Sequence, residues 1–275
     1  MKIRPLLKLT ATRRISSSTQ RTAFIASLKS AGRSSLIQFD STDLASTGRL
    51  RVGINFGNAL LAKRDANGVP HGIAVDLAQE LARRVGLPLE VVSYAAAARL
   101  ADDARTAAWD VAFLATDPDR AADIVFTAPY LEVDTTYLVP AGSPLRALAD
   151  IDRQGVRIAI SERSAYDLFL TRDLKHAQLV RAPGPNESVD LFFSDNLDAL
   201  AGLTPLLTEV ADKHSGTRVL DGRFTVVQQA VGVPRARHAA AAYLAVFVED
   251  IKSSGLVAKL IEKNEIRGVS VAIAA

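Results

Sequence analysis

Cysteine is absent from the sequence, so disulfide bonds and thiolate metal ligands are excluded. Histidine is scarce as well. Its four copies show neither the HxxxH nor the HExxH spacing of a zinc site. We therefore expect neither a metal centre nor a cofactor.

Long apolar runs are also lacking, and none approaches the ~18 residues of a membrane-spanning helix. The first 39 residues contain eight Lys and Arg but no acid, and they lack the ~7–15-residue apolar core of a secretory signal. An extension from an upstream start codon and a degenerate export signal are both compatible with this segment. We favour a poorly ordered basic tail over residues 1–47.

The net charge of +3 is unevenly distributed along the chain. Beyond residue 39 the chain carries 25 basic and 30 acidic residues, which gives the folded part a net charge of −5. This balance disfavours binding to nucleic acid. The 275 residues, of which 48% are apolar, are enough to bury one or two hydrophobic cores.

From Leu50 onwards, apolar periodicity predicts alternating strands and helices. Alternation of this kind builds parallel sheets with helices on both faces, and ligands bind at the carboxyl ends of such strands. Two extended runs, 135–139 and 224–233, separate the predicted elements into groups. The predicted strands are 51–54, 89–94, 110–114, 156–160, 178–182 and 197–201, and the predicted helices are 73–85, 95–108, 165–174, 188–195, 205–214, 236–252 and 256–263.

Residues 110–130, DVAFLATDPDRAADIVFTAPY, are the most informative about function. A buried strand ends in the turn 116–119, and Arg120 begins a helical segment. A guanidinium at this place would point into a crevice beside the free N–H groups of a helix start, an arrangement that holds a carboxylate. The alternative is a surface arginine that pairs with one of the neighbouring aspartates.

This segment resembles the signature of the bacterial extracellular solute-binding proteins of family 3, the polar amino-acid receptors of ABC importers. In that signature a D-[AVI]-x-x strand leads to a Ser/Thr turn, an Arg and then F-[ST]-x-P-Y. A G-x-x-x-D-L motif, here 72–77, follows the family's first strand. The likeness runs from about residue 48 to 265. The matching residues of the signature are Asp110, Thr116, Arg120, Phe126, Thr127, Pro129 and Tyr130.

The resemblance implies a two-lobed α/β fold of the periplasmic-binding-protein type II, with a ligand cleft between the lobes. Lobe 1 would comprise 48–138 and 231–275, and lobe 2 would comprise 139–230. Two strands, near 136–141 and 226–232, would join the lobes. Periodicity alone also permits two sequential domains.

The function implied by the resemblance is binding without catalysis. A small carboxylate-bearing solute, either an amino acid or an organic acid, would bind between lobes that close on a hinge and would be passed to an ABC permease. We expect a monomer. The family is periplasmic, although the sequence shows no recognisable signal peptide.

In lobe 1, the resemblance implies that Thr116 and Arg120 share the carboxylate of the solute. The turn is shorter than in many members, so Ala115 and Thr116 replace a longer Ser/Thr run. Asn55 and Asn58 stand where the family commonly has an acid and an aromatic platform, and Phe56 is a possible substitute for the platform. Turn chemistry alone would also explain both asparagines.

In lobe 2, Ser164 lies where the family has a Ser/Thr turn at a helix start, next to Ala165. Its hydroxyl would cap the helix, whose free N–H groups could also bind an anionic group. The cap by itself explains the serine without a ligand. Glu162 replaces the usual small residue and is a candidate to face the cleft.

The most informative departure from the family is Leu203. Members that bind α-amino acids place an Asp there, and it neutralises the ammonium group. Burial of an ammonium opposite leucine would cost several kcal/mol. Either Glu162 or Asp117 substitutes for the missing acid, or the solute carries no amino group.

Two other functions are compatible with this resemblance. Cyclohexadienyl dehydratases have the same fold but need a buried carboxylic acid as a proton donor, and Leu203 stands near the expected position. A ligand-sensing regulatory protein is less favoured, because no helix-turn-helix motif is recognisable before residue 48.

Overall fold

The computed structural model describes residues 24–30, 33–39, 44, 45 and 47–273 of the chain. Strands β1 (Phe24–Ser30) and β2 (Arg33–Phe39) form a separate antiparallel sheet. The predicted N-terminal tail thus includes a hairpin, and residues 1–23 lie outside the described part. That this segment is a poorly ordered tail remains a prediction.

The first half of the fold is built on three parallel strands with helices between them. Strand β3 lies in the middle, with β6 on one side and β7 on the other. A small hairpin precedes the first helix. The elements are β3 (Leu50–Asn55), β4 (Lys63–Arg64), β5 (Pro70–His71), α1 (Ile73–Val85), β6 (Leu89–Tyr94), α2 (Ala97–Asp102) and β7 (Val111–Ala115).

The bounds of helix α1 follow directly from its sequence. Its apolar residues recur on one face and are buried, and Arg83 and Arg84 lie in its last turn, where cations suit the helix dipole. Gly72 begins the helix with φ of 118°, and a Cβ there would lie 2.5 Å from the Leu61 carbonyl oxygen. Gly86 ends the helix in the left-handed conformation. The prediction of a helix over 73–85 is confirmed.

The second half repeats the same alternation. Strand β9 pairs in parallel with β10 and with β11, and helices follow each of these strands. Strand β12 lies beside the long strand β8 described next. The elements are β9 (Arg157–Ser161), α3 (Ala165–Asp173), β10 (Gln178–Ala182), α4 (Pro185–Ser194), β11 (Ala199–Leu203), α5 (Thr204–Lys213) and β12 (Thr217–Val219).

Two long antiparallel strands, β8 (Ile124–Pro140) and β13 (Thr225–Pro234), pass between the halves. Strand β13 also pairs with β7 of the first half, whereas the carboxyl end of β8 pairs with β11 of the second. The sheet is therefore continuous, in the order β10-β9-β11-β8-β13-β7-β3-β6. The chain then returns to the first half. Its last elements are α6 (Ala241–Ser253), α7 (Leu256–Lys263) and β14 (Val269–Val271).

Two predicted helices are wrong in their bounds. The helix expected over 95–108 covers only α2, because Trp109 is fully buried and donates a hydrogen bond from Nε1 to the Leu100 carbonyl oxygen at 2.9 Å. This contact requires a turn between them, and Ala107 lies in that turn with φ of 51°. The helix expected from residue 236 begins at Ala241, after a 3₁₀ segment. No helix in the described ranges is long and apolar enough to cross a membrane.

A buried ion cluster fixes the start of β7. The Asp110 carboxylate is fully buried and accepts hydrogen bonds from the backbone and the guanidinium of Arg51, at 2.7–3.2 Å. Arg237 donates to the same carboxylate at 2.5 Å. The carboxylate therefore joins β3 and β7 to the segment that precedes α6. This structural role explains the aspartate of the signature.

We predict that Asp110→Ala lowers the free energy of unfolding by ~3–5 kcal/mol, because two partly buried guanidinium groups lose their shared counter-charge. Urea denaturation followed by circular dichroism measures the change. The matched control is Asp134→Ala, which removes an exposed pair with Arg223 and should cost less than ~1 kcal/mol. Equal losses in the two variants would contradict the prediction.

Candidate functional site

A cavity of about 190 Å³ lies between the two halves, at the carboxyl ends of β3, β7, β9 and β11. This is where an open α/β sheet binds its ligands, since the carboxyl ends of neighbouring parallel strands meet there. Seven residues that the sequence identifies as candidates line it. They are Asn55, Asn58, Ala115, Arg120, Glu162, Ser164 and Ala165.

Arg120 is the central cation of the cavity. It follows β7 after a tight turn in which the Asp117 carboxylate accepts a hydrogen bond from the Asp119 backbone N–H at 2.8 Å. The arginine is only 6% exposed. Its guanidinium donates to the Ala115 carbonyl oxygen at 2.8 Å and to the Arg163 carbonyl oxygen at 2.9 Å. One side chain therefore bonds to both halves of the molecule.

No carboxylate within the described residues forms an ion pair with Arg120. The neighbouring aspartates have other partners, since Asp117 pairs with Arg172 at 2.7 Å and Asp123 pairs with Arg105 at 2.7 Å. The alternative of a surface pair is therefore wrong. Burial lowers the pKa of Arg120 to about 10, an effect that the charge of Asp117 partly opposes and that of Arg163 reinforces. Among the residues that the structure describes, this buried guanidinium therefore has no carboxylate bound to it.

Asn55 is the last residue of β3, and Asn58 lies in the loop that follows. The Oδ1 atom of Asn55 accepts from the Gly57 N–H at 3.0 Å, and that of Asn58 accepts from the Leu60 N–H at 3.2 Å. These bonds are the turn chemistry expected of asparagine. The turns use only the Oδ1 atom of each asparagine and not its side-chain NH₂ group. The loop packs tightly, because a Cβ on Gly57 would lie 1.9 Å from the Ala95 carbonyl oxygen.

Thr116 and Phe56 are not brought into the cavity lining. The backbone N–H of Thr116 donates to the Gln228 carbonyl oxygen at 2.8 Å, which joins the turn to β13. The Phe56 ring packs against the main core, and the guanidinium of Arg64 lies 4.6 Å from its centroid. Phe56 therefore contacts a cation of its own lobe, and no aromatic platform comes from this loop.

The second half contributes the start of helix α3. The Ser164 hydroxyl accepts a hydrogen bond from the Asp167 backbone N–H at 3.1 Å, so it caps the helix as expected. Both Ser164 and Ala165 line the cavity. Glu162 also lines it, but as an exposed residue at its rim.

Three buried polar residues of the lining were missed from the sequence. Gln229 of β13 is 3% exposed and lines the cavity. Ser161 and Tyr166, which are also buried, line the cavity from the second half. Burial raises the pKa of Tyr166 to about 12, although hydrogen bonds with Ser164 and Ser161 oppose the shift. Two adjacent glutamines, 228 and 229, interrupt the apolar strand β13, and this pattern could have identified Gln229 as a site residue.

Contacts across the cleft hold the halves together. The Arg163 guanidinium binds the Asp102 carboxylate of α2 through two hydrogen bonds, at 2.7 and 2.8 Å, and these hold the pKa of Asp102 below its usual value. Arg172 of α3 makes the contact with Asp117. These ion pairs and the bond from Arg120 to the Arg163 carbonyl group all join one half to the other. The molecule is therefore in a closed arrangement.

The position of the missing acid is occupied by Leu203, which lines the cavity at 7% exposure. Asp117 does not substitute for it, because it lies outside the lining and is bound by Arg172. The described carboxylates that line the cavity are Glu162 and Glu209, and both are exposed. No group of three or more potential metal ligands occurs among the residues described.

The sequence matches the family model "Bacterial extracellular solute-binding proteins, family 3" over residues 50–264. No curated protein matches the chain in a sequence search. Several solved structures resemble it at low identity.

One of these structures is the solute receptor for L-cysteine of Neisseria gonorrhoeae, with 22% identity, a TM-score of 0.71, and coverage of 83% of this chain and 93% of that chain. Another is the L-arginine-bound AbpA of Streptococcus pneumoniae, an amino acid ABC transporter substrate-binding protein, with 18% identity, a TM-score of 0.69, and coverage of 80% and 96%. A third is the ancestral amino acid-binding protein AncCDT-1, a precursor of cyclohexadienyl dehydratase, with 20% identity, a TM-score of 0.68, and coverage of 80% and 96%. These likenesses confirm the predicted two-lobed fold of the type II periplasmic binding proteins.

We predict that Ser164→Ala lowers the free energy of unfolding by ~1 kcal/mol, because the Asp167 N–H loses its cap. Thermal and urea denaturation measure the loss. Ser164→Asp is the control, since an aspartate also caps a helix start and should retain most of the stability. An alanine variant as stable as the wild type would contradict the capping role.

Proposed function

Because the chain belongs to family 3 of the bacterial extracellular solute-binding proteins, we propose that it binds a small carboxylate-bearing solute, an amino acid or an organic acid, in the cavity between its lobes. The observation that carries this proposal is the buried guanidinium of Arg120, which has no carboxylate partner among the described residues. A bound carboxylate would supply the missing counter-charge.

The geometry of Arg120 suits this role. A guanidinium has five N–H donors, and two of them are used by the carbonyl groups of Ala115 and Arg163. The remaining donors are enough for two parallel hydrogen bonds to a carboxylate. Such bonds are stronger in a cavity that excludes water than at an exposed surface. The NH₂ groups of Asn55 and Asn58 are further donors on the same side of the cavity.

Closure of the lobes is part of the proposal. A solute held by Arg120 and by the start of α3 would contact both lobes only when they are together, so it would shift the equilibrium towards the closed state. The ion pairs of Arg163 and Arg172 would form in the same movement. We place the lobe boundaries within β8 and β13, where the chain passes between the halves.

We propose binding without chemical conversion. A dehydratase of this fold needs a buried acid with a raised pKa, whereas the described carboxylates of the lining, Glu162 and Glu209, are exposed. As a member of an extracellular family, the protein would act outside the cytoplasm as a monomer and deliver its solute to an ABC permease.

We expect Arg120→Ala to weaken solute binding by ~2 kcal/mol or more, because the carboxylate loses its charged partner. A thermal-shift panel of amino acids and of mono- and dicarboxylates identifies a binding solute, since a ligand at ~100 times its dissociation constant stabilises the native state by ~2.7 kcal/mol. Isothermal titration calorimetry then compares the variant with the wild type.

Two further variants control this experiment. Arg120→Met keeps much of the buried stem and removes only the charge, so it separates the loss of binding from a loss of folding. Arg99→Ala removes an exposed arginine of the same lobe and should leave the affinity unchanged. Unchanged affinity in both Arg120 variants would refute the assignment of the site.

The pair across the cleft gives a second prediction. We expect Asp102→Asn to weaken solute binding by ~0.2–1 kcal/mol, the range for a partly exposed ion pair, because only the closed state contains the contact with Arg163. Calorimetry measures the affinity, and small-angle X-ray scattering should show a larger radius of gyration without solute. Asp134→Asn, which removes a pair away from the cleft, is the control. Identical affinities for the two variants would contradict the role of Asp102 in closure.

A further inference from the structure

We infer that the solute carries a carboxylate but no ammonium or other cationic group, because the buried lining described around Arg120 consists of Leu203 and other uncharged side chains. The solute class is thus 2-hydroxy, 2-oxo or unsubstituted carboxylic acids, not α-amino acids. This inference rests on the proposed function and makes it more specific. It concerns the charge of the solute, whereas the proposal above concerns only its carboxylate.

The charges of the cavity lining support this inference. Its buried part holds one cation, Arg120, and no described anion. The remaining described charges of the lining are Lys63, Glu162 and Glu209, all of them exposed, and Glu209 pairs with Lys213 at 2.6 Å. A solute of charge −1 would neutralise this interior. An α-amino acid would leave its ammonium in the same desolvated space without a counter-charge, which is costly.

The positions from which a carboxylate could neutralise an ammonium do not supply one. Leu203 ends β11 with its side chain buried in the lining, and Asn55 stands in the opposite wall. Asp117 is a buried aspartate three residues before Arg120, but both of its oxygens face Arg172 and one also accepts from the Asp119 N–H. No buried carboxylate of the described residues is therefore left to neutralise an ammonium.

The neutral groups of the cavity suit an oxygen substituent instead. The buried Gln229 side chain lines the cavity and has both a hydrogen-bond donor and an acceptor. Ser161 and Tyr166 add hydroxyl groups from the other lobe. A hydroxyl or oxo group next to the carboxylate would satisfy such partners. A neutral oxygen also accepts a hydrogen bond from an ammonium, but it does not offset the ammonium's charge.

Matched sets of probes test this inference on the full chain. Each set holds one carbon skeleton: L-alanine, L-lactate and pyruvate; L-leucine, its 2-hydroxy acid and its 2-oxo acid; L-phenylalanine, phenyllactate and phenylpyruvate. Calorimetry should give at least tenfold tighter binding of the hydroxy or oxo acid than of the amino acid in any set that binds. Tighter binding of the amino acid overturns the inference and leaves carboxylate binding intact. Failure of every probe contradicts the proposed function itself.

Variants of Leu203 test the assigned cause. Leu203→Asp should shift the preference towards the amino acid by at least tenfold, and Leu203→Asn, of similar shape without the charge, should not. A folded Leu203→Asp protein with unchanged preference overturns the role of this position. Glu162→Gln tests the other candidate for the missing acid. A loss of amino acid binding in Glu162→Gln would make Glu162 the counter-charge and contradict the inference, whereas unchanged relative affinities support it.

Discussion

The hydrogen bonds of the Arg120 guanidinium reach the carbonyl oxygens of Ala115 in one lobe and Arg163 in the other. A cation removed from water in this way needs either a neutralising group or a compensating set of dipoles. Two carbonyl dipoles provide part of this compensation. The proposed binding of a carboxylate-bearing solute depends on the charge that these two dipoles do not compensate.

Arg163 is the counterpart of Arg120 in the second lobe. Its backbone has φ of 51°, a left-handed conformation that few residues other than glycine adopt. Its N–H donates a hydrogen bond to the Asp167 carboxylate at 2.7 Å. This turn presents the carbonyl group to Arg120 while the side chain binds Asp102. A single residue thus makes both a dipole contact and a charge contact with the opposite lobe.

Local sequence patterns predicted much of the fold. In helix α1 and the buried parallel strands, the residues that are buried are the apolar residues whose spacing predicted these elements. The long strand β8 was only partly predicted. Its segment Phe126–Tyr130 contains Pro129, which normally argues against a strand interior. Pro129 is accommodated at an irregularity, where the register shifts between Gln229 and Ala230 of β13. Tertiary pairing, which no local pattern encodes, decides the conformation there.

The same distinction applies to the site. The carboxyl ends of the parallel strands, or the loops just after them, hold Asn55, Arg120 and Ser164. These ends meet at one edge because the strands are parallel. Gln229 comes from a strand that passes between the lobes, and the direction of its side chain depends on the irregular pairing. Phe56 looked like an aromatic platform, but Arg64 lies against its ring. Such a competing contact is visible only in three dimensions.

The antiparallel pair β8–β13 has a mechanical consequence. Both strands run unbroken from one lobe into the other, so any change in the angle between the lobes is a change in the bend and twist of this ribbon. The irregularity beside Gln229 interrupts the regular pairing, and an irregularity of this kind bends a strand and increases its twist. Since Gln229 also lines the cavity, a solute bound to its amide would act directly on the ribbon that joins the lobes. The binding of solute and the angle between the lobes would then be coupled directly, without residues in between.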